Sequence, residues 1–352
     1  MIPLKLAAVS AGLALGLGLM ACNSGSGTGT ETGPPDSELL PKEPEGFPKI
    51  PYPPGNPLTS AKIELGRRLF YDPRLSRNGT ISCGSCHKQE HAFTDAGKSF
   101  SLGIDRQSTL RNSPSIANSA YNTFFMAEGG VPTLELQAIA PIINPLEMDM
   151  NTDSIIGRID GVGLYRELFR QAWGDDSITF ARVTKAIASF ERTLVSGASP
   201  YDRWLNGDAR ALSESATRGV NLFFGEKGDC FHCHGGFNFT DQSFHNTGLD
   251  SVTTDPGRIA VTDRPLDDGK FKTPSLRNIA LTAPYMHDGR FSTLRETLEH
   301  YNSGGKNHPN QDPLVRPMGL SEGDIADLIA FLEALTDTAF TTNPDFGNPW
   351  LP

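Results

Sequence analysis

Apolar residues are spread unevenly along this chain, and their spacing divides it into parts. Leu6 to Leu19 is an apolar run built largely of Leu, Ala and Gly, with Lys5 just before it. The run is too short for a comfortable membrane span, and with its positive start it predicts an export signal over residues 1–21. Asn23 to about Glu45 is Gly, Ser, Thr, Pro and Glu, with almost nothing to bury. That composition predicts a flexible tether, whose role is reach. Pro48 to Pro57 reads as an extended, Pro-studded approach to a folded region. Beyond it, apolar positions recur at helical spacing. Over Ala61–Phe70, Ile63, Gly66 and Phe70 fall on one stripe, as do Leu65 and Leu69. Val183, Ile187, Phe190 and Leu194 form a second amphipathic stretch. Ile325, Leu328, Ile329, Leu332 and Leu335 form a third, after a Ser321-x-x-Asp324 start signal. No strand-rich stretch competes, so the pattern predicts a mostly α fold.

Two short motifs sit inside this helical pattern. Ser82-Cys83-Gly84-Ser85-Cys86-His87 and Asp229-Cys230-Phe231-His232-Cys233-His234 each read C-x-x-C-H. This is the attachment signature of a c-type haem. Two thiols three residues apart on a tight turn reach the vinyl groups of one porphyrin, and the following His is carried under the iron as its proximal ligand. A lone C-x-x-C also suits a redox dithiol or half a zinc site, but neither asks for a His directly after the second Cys. The motifs belong to an internal repeat. Gly66-x-x-Leu69-Phe70 precedes the first and Gly219-x-x-Leu222-Phe223 the second; Phe93-Thr94-Asp95 follows the first and Phe239-Thr240-Asp241 the second. Leu110-Arg111-Asn112 then answers Leu276-Arg277-Asn278. Matches in the same order predict two copies of one haem-binding unit, with a helix before each haem and a helix at the end.

Composition adds limits. A chain of 352 residues suits two domains that each bury a core. The 36 Gly and 26 Pro point to many loops, which suits cores made partly of porphyrin. The formal charge of −10 counts against nucleic acid, and it favours a redox partner that docks through a basic rim or an apolar patch. Four of the five Cys are used by the C-x-x-C-H motifs, which leaves Cys22. Cys22 ends the apolar run in Leu19-Met20-Ala21-Cys22, which looks like a bacterial lipobox with Cys22 as the acylated mature N-terminus. An ordinary signal peptide cut nearby is the competing reading. Asn23 after the Cys favours the outer membrane, and export fits c-type haem attachment, which in bacteria takes place outside the cytoplasm.

Further stretches carry a family resemblance. They are Gln137-Ala138-Ile139-Ala140-Pro141-Ile142-Ile143-Asn144-Pro145-Leu146-Glu147-Met148, Phe190-Glu191-Arg192-Thr193-Leu194, and the run from Thr273-Pro274-Ser275-Leu276-Arg277-Asn278 to Pro284-Tyr285-Met286-His287-Asp288-Gly289. With the two C-x-x-C-H motifs they make residues 50–340 resemble the bacterial di-haem cytochrome c peroxidase family, including its MauG-like branch. The resemblance implies two tandem cytochrome c-like domains, each with one covalently bound c-type haem. Its domain limits here are 1–21 signal peptide, 22–47 lipidated Cys and linker, 48–205 N-terminal peroxidatic haem domain, 206–340 C-terminal electron-transfer haem domain and 341–352 tail.

By that resemblance the haem on His87 meets peroxide and the haem on His234 passes electrons. Glu147 matches the acid/base beside the peroxide site. The chemistry asks for such a group, because cleaving H–O–O–H needs a proton taken from one oxygen and given to the other. A carboxylate capping the turn after Pro145 is the plainer alternative. Gln137 matches a neighbour that orients peroxide, or else serves structure alone. The family also places Ca²⁺ between its domains, and the matching ligands are the Asn112 side chain and the carbonyls of Thr282 and Pro284. Asn112 as a loop-stapling amide competes with that role.

Departures from the family matter as much. Relatives that need reductive activation carry a distal His on the peroxidatic haem, and the matching position here is Ile104. An open sixth position is therefore expected. Many relatives also carry a Trp between the haems, where this chain has Ala127, and Phe124 or Phe125 would substitute only in part. The sixth ligand of the second haem falls on Tyr301, as in the MauG branch, where peroxidases have Met. Met286 and Met318 are rivals, and Tyr301 as a packed aromatic is the bland option. A phenolate favours ferric and higher iron, whereas a thioether raises the potential.

These readings predict a cytochrome-c peroxidase-type oxidoreductase that reduces H₂O₂ with electrons from a small cytochrome or cupredoxin. A MauG-like enzyme, whose peroxide-generated high-valent haems oxidise residues of a partner protein, is the alternative. A non-catalytic electron carrier is a third reading, which Glu147 beside an open iron opposes.

Overall fold

The side chain of Thr59 accepts the Lys62 N–H and so caps helix α1 (Ser60–Phe70). The structure, a computed structural model, describes residues 40–95 and 97–351. The expected signal peptide, Cys22 and the first part of the linker lie outside the described residues. None of the described helices is long and apolar enough to cross a membrane.

After α1 the chain makes a single helical turn over Cys83–Cys86 and then a long loop region. A short helix at Ile139–Ile143 aside, the first half is completed by α2 (Leu134–Gln137), α3 (Thr152–Asp160), α4 (Gly163–Trp173) and α5 (Phe180–Glu191). Leu65, Leu69 and Phe70 of α1 meet Val183, Ile187 and Phe190 of α5 in one core, with Tyr165 and Phe169 of α4 beside them. The second half holds α6 (Pro200–Leu205), α7 (Glu214–Phe223), α8 (Leu294–Ser303) and α9 (Glu322–Glu333). Its core joins Val220 and Phe223 of α7 to Leu328 and Phe331 of α9. Ser321 and Asp324 form the expected capping box of α9. Strands β1 (Phe244–His245) and β2 (Phe271–Lys272) pair antiparallel, with Phe244 opposite Lys272, and are the only named strands among the described residues. The fold is mostly α, as the apolar spacing predicts.

The two halves share one joint. A Cβ at Gly66 would overlap the Ala186 carbonyl of α5, and a Cβ at Gly219 would overlap the Asp327 carbonyl of α9. Only glycine lets each leading helix lie this close to its closing helix. Leu194 and Leu335 fall just past the ends of α5 and α9 but remain buried. Their carbonyls accept the N–H groups of Asn118 (2.8 Å) and Asn278 (3.0 Å), and both asparagines are left-handed, at φ 58° and 60°. Asn118 is thus the counterpart of Asn278. This corrects the repeat register expected from Leu110-Arg111-Asn112: Leu110 is 77% exposed, whereas Leu276 packs on the second core and Arg277 is buried.

Near the seam, Tyr201 of α6 lies in the second core, and Arg277 holds Asp202 with two bonds of 2.9 and 3.0 Å. A buried carboxylate needs such a partner, so α6 packs with the second half. The tail is a strap rather than a loose end. Helix α10 (Thr338–Thr342) places Phe340 in the first core, and Arg67 reaches the carbonyls of Gly347 (2.7 Å) and Pro344 (2.8 Å). At the other end Phe47 packs edge-on against Tyr121 and Phe237 beneath the Arg277 guanidinium. That aromatic ring ends the linker before residue 47.

Candidate haem sites

In the first motif, the Ser85 hydroxyl accepts the Ser82 N–H at 3.0 Å and the His87 N–H bonds back to the Cys83 carbonyl at 2.9 Å. This closes one turn with Cys83 and Cys86 at its ends. Tyr71 lies so close that a Cβ at Gly84 would overlap its ring. In the second motif the His234 N–H bonds to the Cys230 carbonyl at 2.8 Å. The four cysteines are free thiols, available for thioether bonds. Both histidines are held alike. His87 Nδ1 donates to the Phe93 carbonyl (2.8 Å) and His234 Nδ1 to the Phe239 carbonyl (3.0 Å). A carbonyl only accepts, so Nδ1 carries the proton and Nε2 keeps its lone pair for a metal. Burial lowers the pKa of both rings, which favours the neutral ligand form. These residues fit two c-type haems, with Cys83, Cys86 and His87 on one and Cys230, Cys233 and His234 on the other.

Beside the first motif, the Ile104 N–H donates to the Glu147 carbonyl at 2.7 Å. A Cβ at Gly103 would overlap the Leu146 carbonyl, so Gly103 allows this contact. Ile104 is fully buried and Glu147 partly so. The Glu147 carboxyl acts electrostatically on both Cys83 and Cys86, which puts it near the haem pocket. Burial raises its pKa, and the Asn144 amide donating to Oε1 at 2.7 Å partly offsets this. Gln137 ends α2, half-buried, and no hydrogen bond to its side chain is present among the described residues. One acid here was not expected from the sequence. Glu191, within the Phe190-Glu191-Arg192-Thr193-Leu194 stretch, is buried, and Cys83 feels its charge. An acid closing an otherwise apolar helix stripe is the signal that points to it.

At the second site, α8 brings Tyr301 into reach of Cys230 and Cys233, whose charges add to burial in raising the phenol pKa. No hydrogen bond to the Tyr301 hydroxyl is present among the described residues. Of its rivals, Met286 sits left-handed (φ 73°) in the turn before Gly289, and the Met318 N–H bonds to the Asn302 carbonyl beside Tyr301. His245 lies between Asp312 (2.6 Å) and Asp241 (2.8 Å).

The two halves meet through loops. Asn112 Nδ2 donates to the carbonyls of Lys98 (3.0 Å) and Ser99 (3.2 Å), and its N–H to the His287 carbonyl (2.8 Å). Gly97 N–H bonds to the Ala283 carbonyl (2.9 Å), so Asn112 and the Thr282–Pro284 stretch border one place. Oxygen donors there suit a hard cation. The Ala127 carbonyl accepts the Lys272 N–H at 2.8 Å. Phe125 is buried with Leu134 and Ala188, while Phe124 turns to Phe244 at 5.8 Å, so the phenylalanines diverge around Ala127. Arg111 ties the halves further, pairing with Glu128 and with Asp255.

Known proteins share this arrangement. Residues 60–210 match the di-haem cytochrome c peroxidase family and residues 216–336 the cytochrome c family. The chain is 42% identical over 287 residues to the methylamine utilization protein MauG of Methylophilus methylotrophus, covering 81% of this chain and 85% of that protein. It is 36% identical over 300 residues to the cytochrome c551 peroxidase of Nitrosomonas europaea, covering 84% and 85%. Among solved structures it is similar to a MauG-like protein associated with microbial copper homeostasis, with a TM-score of 0.84, 40% identity, and 88% and 99% coverage. Two repeated haem-binding halves, their paired C-x-x-C-H turns and these likenesses together make the chain a member of the di-haem cytochrome c peroxidase family.

Proposed function

We propose that this peroxidase accepts H₂O₂ at the His87 haem without prior reduction and passes the oxidising equivalents through the His234 haem to an exported partner protein. The observation that carries this is Ile104 bonded to the Glu147 backbone. An aliphatic side chain cannot ligate iron, so nothing at that position would block peroxide. The haems supply the iron that binds peroxide oxygen and the redox capacity that stores its equivalents. Glu147 takes a proton from one peroxide oxygen and returns it to the other, and Gln137 orients the peroxide. Tyr301 would hold the iron of the second haem, and a phenolate there would favour its more oxidised states. The likeness to MauG proteins and to the copper-associated MauG-like protein supports a protein substrate, with a copper-handling exported protein as the first candidate.

The likeness to cytochrome c551 peroxidase supports a second reading. There a small cytochrome or cupredoxin reduces the second haem and peroxide ends as water. The remaining assignments belong with either reading: Ca²⁺ on Asn112 and the carbonyls of Thr282 and Pro284, and a lipid on Cys22 holding the protein at the outer membrane, facing the periplasm.

The test is to mix fully oxidised holoprotein with one equivalent of H₂O₂ and then add either partner. Prompt reaction followed by covalent oxidation of an aromatic residue in the partner supports the first reading. Reaction followed only by oxidation of a reduced cytochrome or cupredoxin supports the second. An oxidised protein inert to H₂O₂ sinks the first reading, and one that stays inert after its second haem is reduced sinks both.

A further inference from the structure

Glu191 closes α5 and is 4% exposed, yet its Oε2 has no hydrogen-bond partner among the described residues. Buried polar atoms left unpaired cost stability and are few in native proteins, so this one calls for an explanation. An apolar side chain of similar size would pack there without that cost. Its surroundings indicate a use. Its charge acts on the Cys83 sulfur, ahead of the charges of Cys86 and Glu147. The charges of Arg192, next to it in sequence, and of Glu135 on α2 act on it in turn. Arg192 pairs with Glu135 at 2.7 Å, Glu135 accepts from Asn56 at 3.0 Å, and Asn56 accepts from Lys62 of α1 at 3.4 Å. The buried carboxyl is thus coupled both to a chain of polar groups and to the first C-x-x-C-H motif. Burial, with Glu135 adding and Arg192 opposing, pushes it up to about 8, so it holds its proton at pH 7.

Reduction of peroxide follows H₂O₂ + 2 e⁻ + 2 H⁺ → 2 H₂O. The O–O bond breaks, two O–H bonds form, and the electrons come from a protein electron donor. Glu147 moves a proton between the two oxygens but adds none, so protons must arrive from elsewhere. We propose that Glu191 is the interior proton store of the first haem pocket, passing a proton through water toward Glu147 and regaining one from solvent on the side of Glu135 and Asn56. It acts through Glu147 and is a positioning residue rather than a catalytic one. The inference rests on the reading of the His87 haem as the peroxide site.

Two measurements on the holoprotein test it. The first is turnover of H₂O₂ with a reduced cytochrome c against pH, in wild type and Glu191→Gln. Wild-type turnover falls as pH rises through about 8; Glu191→Gln loses roughly tenfold at pH 7 and lacks that inflection, with both haem spectra unchanged. The second is infrared spectroscopy. A carboxylic-acid C=O band present at pH 7 disappears through about pH 8 and is missing from Glu191→Gln. Should Glu191→Gln fail to load haem, Glu135→Gln serves, because removing a charge that raises Glu191 moves both transitions to lower pH. A Glu191→Gln enzyme with wild-type turnover and inflection, or a Glu135→Gln enzyme with unmoved transitions, overturns the inference. Failure of the peroxide-site reading looks different: oxidised wild type is then inert to H₂O₂, while the infrared band still decides whether Glu191 stores a proton.

Discussion

The Ile104 N–H donates to the carbonyl of Glu147 at 2.7 Å, and this bond ties an aliphatic residue to an acid whose charge acts on both cysteines of the first C-x-x-C-H motif. The carboxyl is dry enough to have a raised pKa, and the isoleucine offers the iron no ligand. On the proposed reading, the isoleucine leaves room for peroxide and the acid moves its proton.

The Glu147→Gln substitution should therefore slow peroxide cleavage by roughly 10²–10⁴-fold while leaving the haem spectra intact. Glu147 must be ionised to take the first proton. Because burial raises its pKa, the wild-type rate climbs with pH through a value above the usual carboxylate range, about 4.3. The glutamine variant lacks that limb. Stopped-flow rates across pH check both points.

Tyr301 lies near Cys230 and Cys233 with a hydroxyl that no protein group engages among the described residues. With Tyr301 as the proposed ligand of the second haem, replacing it with methionine would exchange a phenolate for a thioether. The reduction potential of the second haem should rise, and that haem should become easier to hold ferrous. Spectroelectrochemical titration of Tyr301→Met against wild type reads this directly. An unchanged potential would mean that another residue is the ligand.

At the helix joints, Gly66→Ala and Gly219→Ala each place a methyl group on a backbone carbonyl of the partner helix. Each should cost about 1–3 kcal/mol through overpacking. Urea unfolding of the holoproteins measures it, and the two variants should behave alike because the joints are copies.

Much of this was legible in the chain. The C-x-x-C-H spacing dictates a one-turn helix with a ligand at its end, and Gly66 and Gly219 sit at matching places in apolar stripes because both helices need the same close crossing. The slip at Leu110-Arg111-Asn112 has a physical reason. Leu-Arg-Asn occurs in both halves, but the left-handed turn and the bond to the preceding leucine carbonyl make Asn118 the counterpart of Asn278. The strap through Phe340, Pro344 and Gly347, and the packing of α6, depend on partners far away in sequence, such as Arg67 and Arg277. Local spacing carries no sign of those. Glu191 lay inside a stretch already singled out, but its missing hydrogen-bond partner is visible only in three dimensions.

Calcium removal offers a test of the seam. With Ca²⁺ at 100 times its Kd, binding to the native state alone contributes about 2.7 kcal/mol. Chelation should lower the melting temperature of wild-type holoprotein, and added Ca²⁺ should restore it. Asn112→Ala should melt at the lower temperature whether or not Ca²⁺ is present. A wild type indifferent to chelator would leave Asn112 as a loop-stapling amide.

An open iron at the first haem is tested most directly by the EPR spectrum of the resting, fully oxidised protein, repeated after one equivalent of H₂O₂. One high-spin and one low-spin ferric haem are expected, with the high-spin signal lost at once on adding peroxide. Two low-spin haems that ignore peroxide until the protein is half-reduced would contradict it, because some residue other than Ile104 would then be closing the site.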